Sequence, residues 1–178
     1  MLSLVFILAA CQDGTSESSS KENTDRQTAL IQEIDSLENV LENDQWRPNN
    51  PAVPTLMQSY TKYSELYPGD LEKSPEYLYK SAALARSVQL PVKAIKIYDK
   101  ILVDYPKWMK APEVAFLLAF TYDEDLKEPD LAKEAYQKLI QDFPGDHWAV
   151  QAEQRLVTID MSDDELLEFL NSQSQSDS

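Results

Sequence analysis

Three stretches of this chain repeat one another at a fixed interval. Tyr60-Thr-Lys-Tyr-Ser-Glu-Leu-Tyr-Pro68, Tyr98-Asp-Lys-Ile-Leu-Val-Asp-Tyr-Pro106 and Tyr136-Gln-Lys-Leu-Ile-Gln-Asp-Phe-Pro144 begin 38 residues apart. At that step Tyr60, Tyr98 and Tyr136 coincide, as do Lys62, Lys100 and Lys138, the aromatics Tyr67, Tyr105 and Phe143, and Pro68, Pro106 and Pro144. Chance does not align four such triplets. A period in this range marks a modular stack, in which one unit cannot bury its apolar face alone and must lean on its neighbours.

The units are helical. Leu30, Ile34, Leu37 and Leu41 recur at three- and four-residue steps in the leading segment, and no alternating, strand-like run occurs anywhere. Lys73-Ser-Pro-Glu76 and Lys110-Ala-Pro-Glu113 read as helix starts with proline at the first helical position, where its missing N–H costs nothing, and Pro91 and Pro129 open the partner helices likewise. Gly69-Asp70 and Gly145-Asp146 supply turns, and Ser162-Asp-Asp-Glu165 is a capping box ahead of a short closing helix.

In one unit Ala82 is followed by Ala94, Tyr98, Ile101 and Pro106; in the next, Ala119 is followed by Ala132, Tyr136, Leu139 and Pro144. This order of a small residue on helix A, then Ala, an aromatic, an apolar residue and Pro along helix B, resembles the tetratricopeptide-repeat (TPR) family. The period is longer than usual for the family, as in envelope members resembling the Tol-Pal coordinator and the lipoprotein of the outer-membrane barrel-assembly machine. The resemblance covers about residues 50–160, with a poorly matching leading helix over 29–43 and a final helix A over 147–159. It implies an all-α solenoid of antiparallel helix pairs with capping helices. Carried over residue by residue, the concave groove of helix A faces comprises Glu76, Tyr79, Ala83 and Arg86, then Glu113, Phe116, Phe120 and Asp123. These are the expected partner-binding positions, and packing between helices is the alternative role for the aromatics. The carboxylate clamp of chaperone-binding members is not expected, because acids, aromatics and one arginine hold its positions.

Leu2 to Ala10 is an apolar run far shorter than the roughly 20 residues that span a bilayer. With Leu8-Ala9-Ala10-Cys11 it resembles the lipobox of bacterial lipoproteins, which implies a signal peptide over residues 1–10 and lipidation of Cys11, the one cysteine. No Lys or Arg precedes the run, which points to a start codon upstream of Met1. Residues 11–28 then read as the lipidated cysteine and a disordered polar tether, 29–171 as the helical domain and 172–178 as a disordered tail. Gln12 and Asp13 after the cysteine favour the outer membrane, facing the periplasm, over the inner membrane or cell surface.

The net charge of -15 belongs to the ends: residues 12–45 carry nine acids against Lys21 and Arg26, and residues 160–178 carry six acids and no base. Phosphate binding needs clustered Lys and Arg, so nucleic acid and anionic headgroups are not expected as direct partners. The three glycines, Gly14, Gly69 and Gly145, form no phosphate-cradling loop. Asp123-Glu-Asp125 with Glu128 and Asp130 lacks the glycine and terminal glutamate of a calcium loop, and the lone His147 has no second ligand or triad partner at useful spacing. No metal, small-molecule cofactor or catalytic residue is expected. The sequence therefore points to a non-enzymatic adaptor of the bacterial envelope that binds a protein or peptide segment, and the resemblance to the envelope members implies a role in outer-membrane assembly or maintenance. The alternative is an accessory module binding peptidoglycan or glycan for an associated enzyme, which Trp46, Trp108 and Trp148 on one face would favour.

Overall fold

The computed structural model describes residues 14–43 and 47–176. The signal run, Cys11 and Trp46 lie outside the described residues. Eight α-helices follow one another: α1 (Gly14–Asn43), α2 (Ala52–Leu66), α3 (Lys73–Ser87), α4 (Pro91–Asp104), α5 (Ala111–Phe120), α6 (Pro129–Asp142), α7 (His147–Thr158) and α8 (Asp163–Ser176). Among the described residues there is no strand, and no helix is long and apolar enough to cross a membrane.

The main packing partners are neighbours in the chain, α1 on α2, α2 on α3 and so on to α6 on α7, with α5 also touching α7. Helices α1, α3, α5 and α7 are therefore the A helices, and α2, α4 and α6 the B helices, of successive modules. The chain leaves each B helix in one conformation: Tyr67, Tyr105 and Phe143 sit at φ/ψ of -126/54, -131/51 and -131/58, each N–H returning to the carbonyl four residues back. Pro68, Pro106 and Pro144 follow and block continuation.

Ala82, Ala94, Ala119 and Ala132 are wholly buried, so the backbones approach closely, and Tyr60, Tyr98 and Tyr136 fill the space that is left. The capping box forms as read, with Ser162 N–H donating to Glu165 Oε2 at 2.8 Å. Asp146 caps α7 by accepting from Trp148 N–H at 2.8 Å, after Gly145 turns through φ 80, a region open to glycine at little cost.

The helices depart from the sequence reading at several ends. The leading helix starts at Gly14 rather than residue 29, so residues 14–28, expected as tether, are helical. Residues 21–26 are exposed, but Gln27 then donates to Tyr63 Oη at 2.7 Å and ties this polar stretch to α2. Helix α8 runs to Ser176, beyond the expected end at 171. Pro75 is the third residue of α3 and Pro112 the second of α5, because the first turn needs no N–H donors at any of these places.

Helix α5 does not stop at Phe120 but widens into a π-turn over Thr121–Asp125, closed by Leu126 N–H to Thr121 O at 3.1 Å. The sequence explains it. The A helices match at a step of 37 residues (Pro75 with Pro112, Ala82 with Ala119), yet the turns after them match at 38 (Gln89 with Lys127, Pro91 with Pro129). One extra residue sits inside the third A helix, and a π-turn is how a helix absorbs it.

Candidate partner-binding groove

The expected groove residues do come together, and they come together as pairs. Across the α3–α5 step, Lys110 Nζ meets Glu76 Oε2 at 2.8 Å, and Tyr79 Oη donates to Glu113 Oε1 at 2.7 Å. Lys110 also lies over the Tyr79 and Trp108 rings, at 4.9 and 5.5 Å. At the far end of α3, Arg86 Nε reaches Asp125 Oδ2 at 2.6 Å. Asp123 and Glu124 face the other way, onto Arg155 of α7, with Arg155 Nη2 to Glu124 Oε1 at 2.6 Å. The π-turn thus points successive acids at opposite neighbours. The stretch weighed as a calcium loop is spent on two arginines, and among the described residues no three His, Cys, Asp or Glu side chains cluster to hold a metal ion.

A rung recurs at every junction. Tyr60 Oη donates to Glu38 Oε1 at 2.6 Å, and Glu38 takes Lys80 at 2.7 Å, joining α1 to α3. Tyr98 faces Arg86, which holds Asp125 and joins α3 to α5. Tyr136 donates to Asp123 at 3.4 Å, and Asp123 holds Arg155 and joins α5 to α7. The repeated tyrosine therefore packs the core and also anchors a charge that clips its module to the next. Burial alone raises the Glu38 carboxyl, but the hydrogen bonds from Lys80 and Tyr60 outweigh it and hold the group below its usual range. Burial, then the bond to Glu113, pushes the Tyr79 phenol up, so it stays a protonated donor.

The aromatics form a floor between these rungs. Phe116 stacks near Phe120 (6.1 Å) and packs on Tyr136 (5.6 Å) and Trp148 (5.0 Å). Phe120 lies between two guanidiniums, Arg86 at 5.1 Å and Arg155 at 5.6 Å. Tyr79, Phe116 and Phe120 are half-buried, so packing accounts for part of their presence. Trp108 and Trp148 are likewise half-buried against Tyr79 and Phe116. His147 is exposed, edge-on to Trp148.

The most open part of the groove lies one step nearer the N-terminus than the carried-over positions suggest. A hollow of about 680 Å³ opens between α1 and α3 over α2, with Leu41, Leu56, Tyr60, Tyr79 and Leu84 as apolar surface and Glu42 and Lys80 among its polar residues. Ala83, the expected groove residue with the smallest side chain, is exposed beside it and leaves room. Arg155, Lys110, Lys80 and the α1 side of the hollow escaped the sequence reading. Arg155 carried a signal, as the sole base after Lys138 in an otherwise acidic C-terminus.

Residues 113–146, from α5 through the turn after α6, match the family model of the tetratricopeptide repeat. No curated protein matches the chain. Fold and match together give an all-α helical-repeat fold of the tetratricopeptide type. Repeats of this type are protein-interaction modules and typically non-catalytic.

Proposed function

We propose that this protein is a lipid-anchored adaptor of the bacterial envelope, whose A-helix groove holds an extended or helical segment of another envelope protein. The observation that carries the reading is the hollow between α1 and α3. It is an apolar recess on the face where helical-repeat modules present their A helices, bordered by the Glu38–Lys80 ion pair and by Glu42. Such a recess discriminates by shape and apolar fit more than by free charge. The run Leu2–Ala10 ahead of Cys11 supports anchorage, since several acyl chains at about 0.8 kcal/mol per buried methylene hold a protein stably on a bilayer. Gln12 and Asp13 support the outer membrane, and the period supports a place in outer-membrane assembly or maintenance.

Two measurements test this. Labelled palmitate should enter the wild-type chain and not Cys11→Ser, and the variant should leave the membrane fraction; a wild type that is itself soluble and unlabelled contradicts the anchor. A photo-crosslinking residue at Ala83 should give one defined adduct with an envelope protein, while the same residue at Gln137, on α6, should give none. Equal adducts from both positions contradict the groove.

A further inference from the structure

Facing away from that groove, between the second and third modules, α4 and α6 leave a crevice of about 450 Å³ over α5, with Leu102, Val103, Ala115, Leu118, Ala135 and Leu139 among its lining residues. The matching place one module earlier has larger side chains at two of these positions, those of Ala115 and Ala135. Leu78 stands where Ala115 does, Ile97 where Ala135 does, and Tyr105 where Phe143 does; all three are buried, and Tyr105 Oη donates to Pro68 O at 3.3 Å. Ala115 and Ala135 therefore leave open space that Leu78 and Ile97 occupy one module earlier, while Leu102 and Leu118, where that module has Ser64 and Ser81, make the lining more apolar.

A second departure from the repeat borders it. Val92, Lys96, Asp99 and Val103 fall at helical spacing on one stripe of α4, and the two valines are 55% and 76% exposed. At the matching positions α2 has Pro54, Gln58, Thr61 and Glu65, and α6 has Asp130, Glu134, Gln137 and Gln141. Only the middle B helix turns valines outward. Among the described residues Asp99, which lines the crevice, has no hydrogen-bond or ion-pair partner, and its partial burial raises its carboxyl above the ordinary value. The other nearby charges are Lys138, occupied by Asp142 at 2.6 Å, and Lys96, one turn along the stripe.

We propose that this crevice and the α4 stripe form a second docking surface, for a protein segment that inserts a leucine- or phenylalanine-sized side chain beside a lysine or arginine that pairs with Asp99. Apolar volume selects the first side chain, and a carboxylate without a cation selects the second. On α5 the groove residues Glu113, Phe116 and Phe120 and the crevice residues Ala115 and Leu118 lie on opposite faces, so the two surfaces can be occupied independently.

The test is selection of a displayed random library of about twelve-residue peptides on the full chain, followed by titration of the enriched peptides on variants, the first of which is Ala135→Ile. That variant copies the preceding module, and its melting curve reports its folding. Asp99→Asn is a second variant that leaves packing unaltered. Enriched peptides should carry Leu or Phe next to Lys or Arg. They should bind Ala135→Ile at least about tenfold and Asp99→Asn about fivefold more weakly, and should bind Tyr79→Ala, in the groove, as they bind the wild type. The proposal is overturned by failure to enrich, by enriched peptides without a cation, or by equal binding to Asp99→Asn. Loss of binding in Tyr79→Ala, with retention in Ala135→Ile, also overturns it and assigns the peptides to the groove.

Discussion

The first and last junctions of this stack solve one packing problem with different materials. Between α2 and α3 the contact is aromatic: Tyr60 and Tyr77 stack at 5.3 Å, Tyr63 meets Tyr77 edge-on at 4.8 Å, and Tyr67 closes the group at 5.0 Å from Tyr63. Their core extends through Leu30, Ile34, Leu56 and Leu78. Around α5, α6 and α7 the buried residues are Ala115, Ala119, Ala132 and Ala152 with Tyr136 and Leu139, and the outer clip is Arg155 on Asp123 and Glu124. The first junction rests on a cluster of buried tyrosines; the last rests on close backbone approach, with its aromatics Phe116 and Trp148 only half-buried, and on a two-acid clip. Perturbing volume should therefore hurt the first by deletion and the last by addition, while salt should weaken the clips of both, Lys80–Glu38 as well as Arg155 with Asp123 and Glu124.

The largest effect is expected at Tyr63, which is fully buried. Tyr63→Ala should cost about 3–5 kcal/mol in urea unfolding, by cavity formation in the aromatic group. A loss below about 1 kcal/mol would show that the N-terminal junction does not depend on this cluster. At the other end the sensitive change is enlargement. Ala132→Leu should cost about 1–3 kcal/mol, whereas the same enlargement at exposed Ala83 should be nearly neutral to stability. Next comes Arg155→Met, expected to cost about 1 kcal/mol because the guanidinium is a third exposed and partly screened by water. Amide exchange should quicken in α7 and not in α2, and 1 M salt should reproduce part of that change in the wild type.

Acid should act at both ends. Burial raises the Glu38 and Asp70 carboxyls, but hydrogen bonds from Lys80 and Tyr60, and from Lys73 N–H and Tyr63, leave each below its ordinary value; bonds from Lys127 and Arg155 do the same for Glu124. A depressed native pKa contributes stability that is complete above the unfolded value, about 4, and is lost as pH falls through the native one. Stability should be level from pH 8 to about 5 and decline below, and Glu38→Gln should flatten the decline. The smallest effect is expected at Gln89, which holds φ 59 at the turn from α3 to α4; Gln89→Gly should stabilise the protein by about 0.5–1 kcal/mol.

What the sequence made legible follows from how local each signal is. The B helices could be read residue by residue, since Ala94, Tyr98 and Pro106 each do the same job in their own module as Ala132, Tyr136 and Pro144. The start of α1 could not, because residues 14–28 have no apolar period, and what holds their end is a long-range bond from Gln27 to Tyr63. The expected groove positions lie along the A helices, but their pairing depends on which residue of the next module lies opposite, and no period encodes that. The π-turn was encoded as a step of 37 that becomes 38, a difference that matters because it aims Asp125 at Arg86 and Asp123 at Arg155.

Native-state hydrogen exchange of the whole domain tests most directly that stability is passed from module to neighbouring module and falls along the chain. Amides of α2 and α3 should be the slowest to exchange, those of α5 and α6 intermediate, and those of α7 the fastest of these helices, with Tyr63→Ala accelerating α2 and α3 before α6. A single protection level shared by α2 through α7, falling as one unit in every variant, would contradict the account.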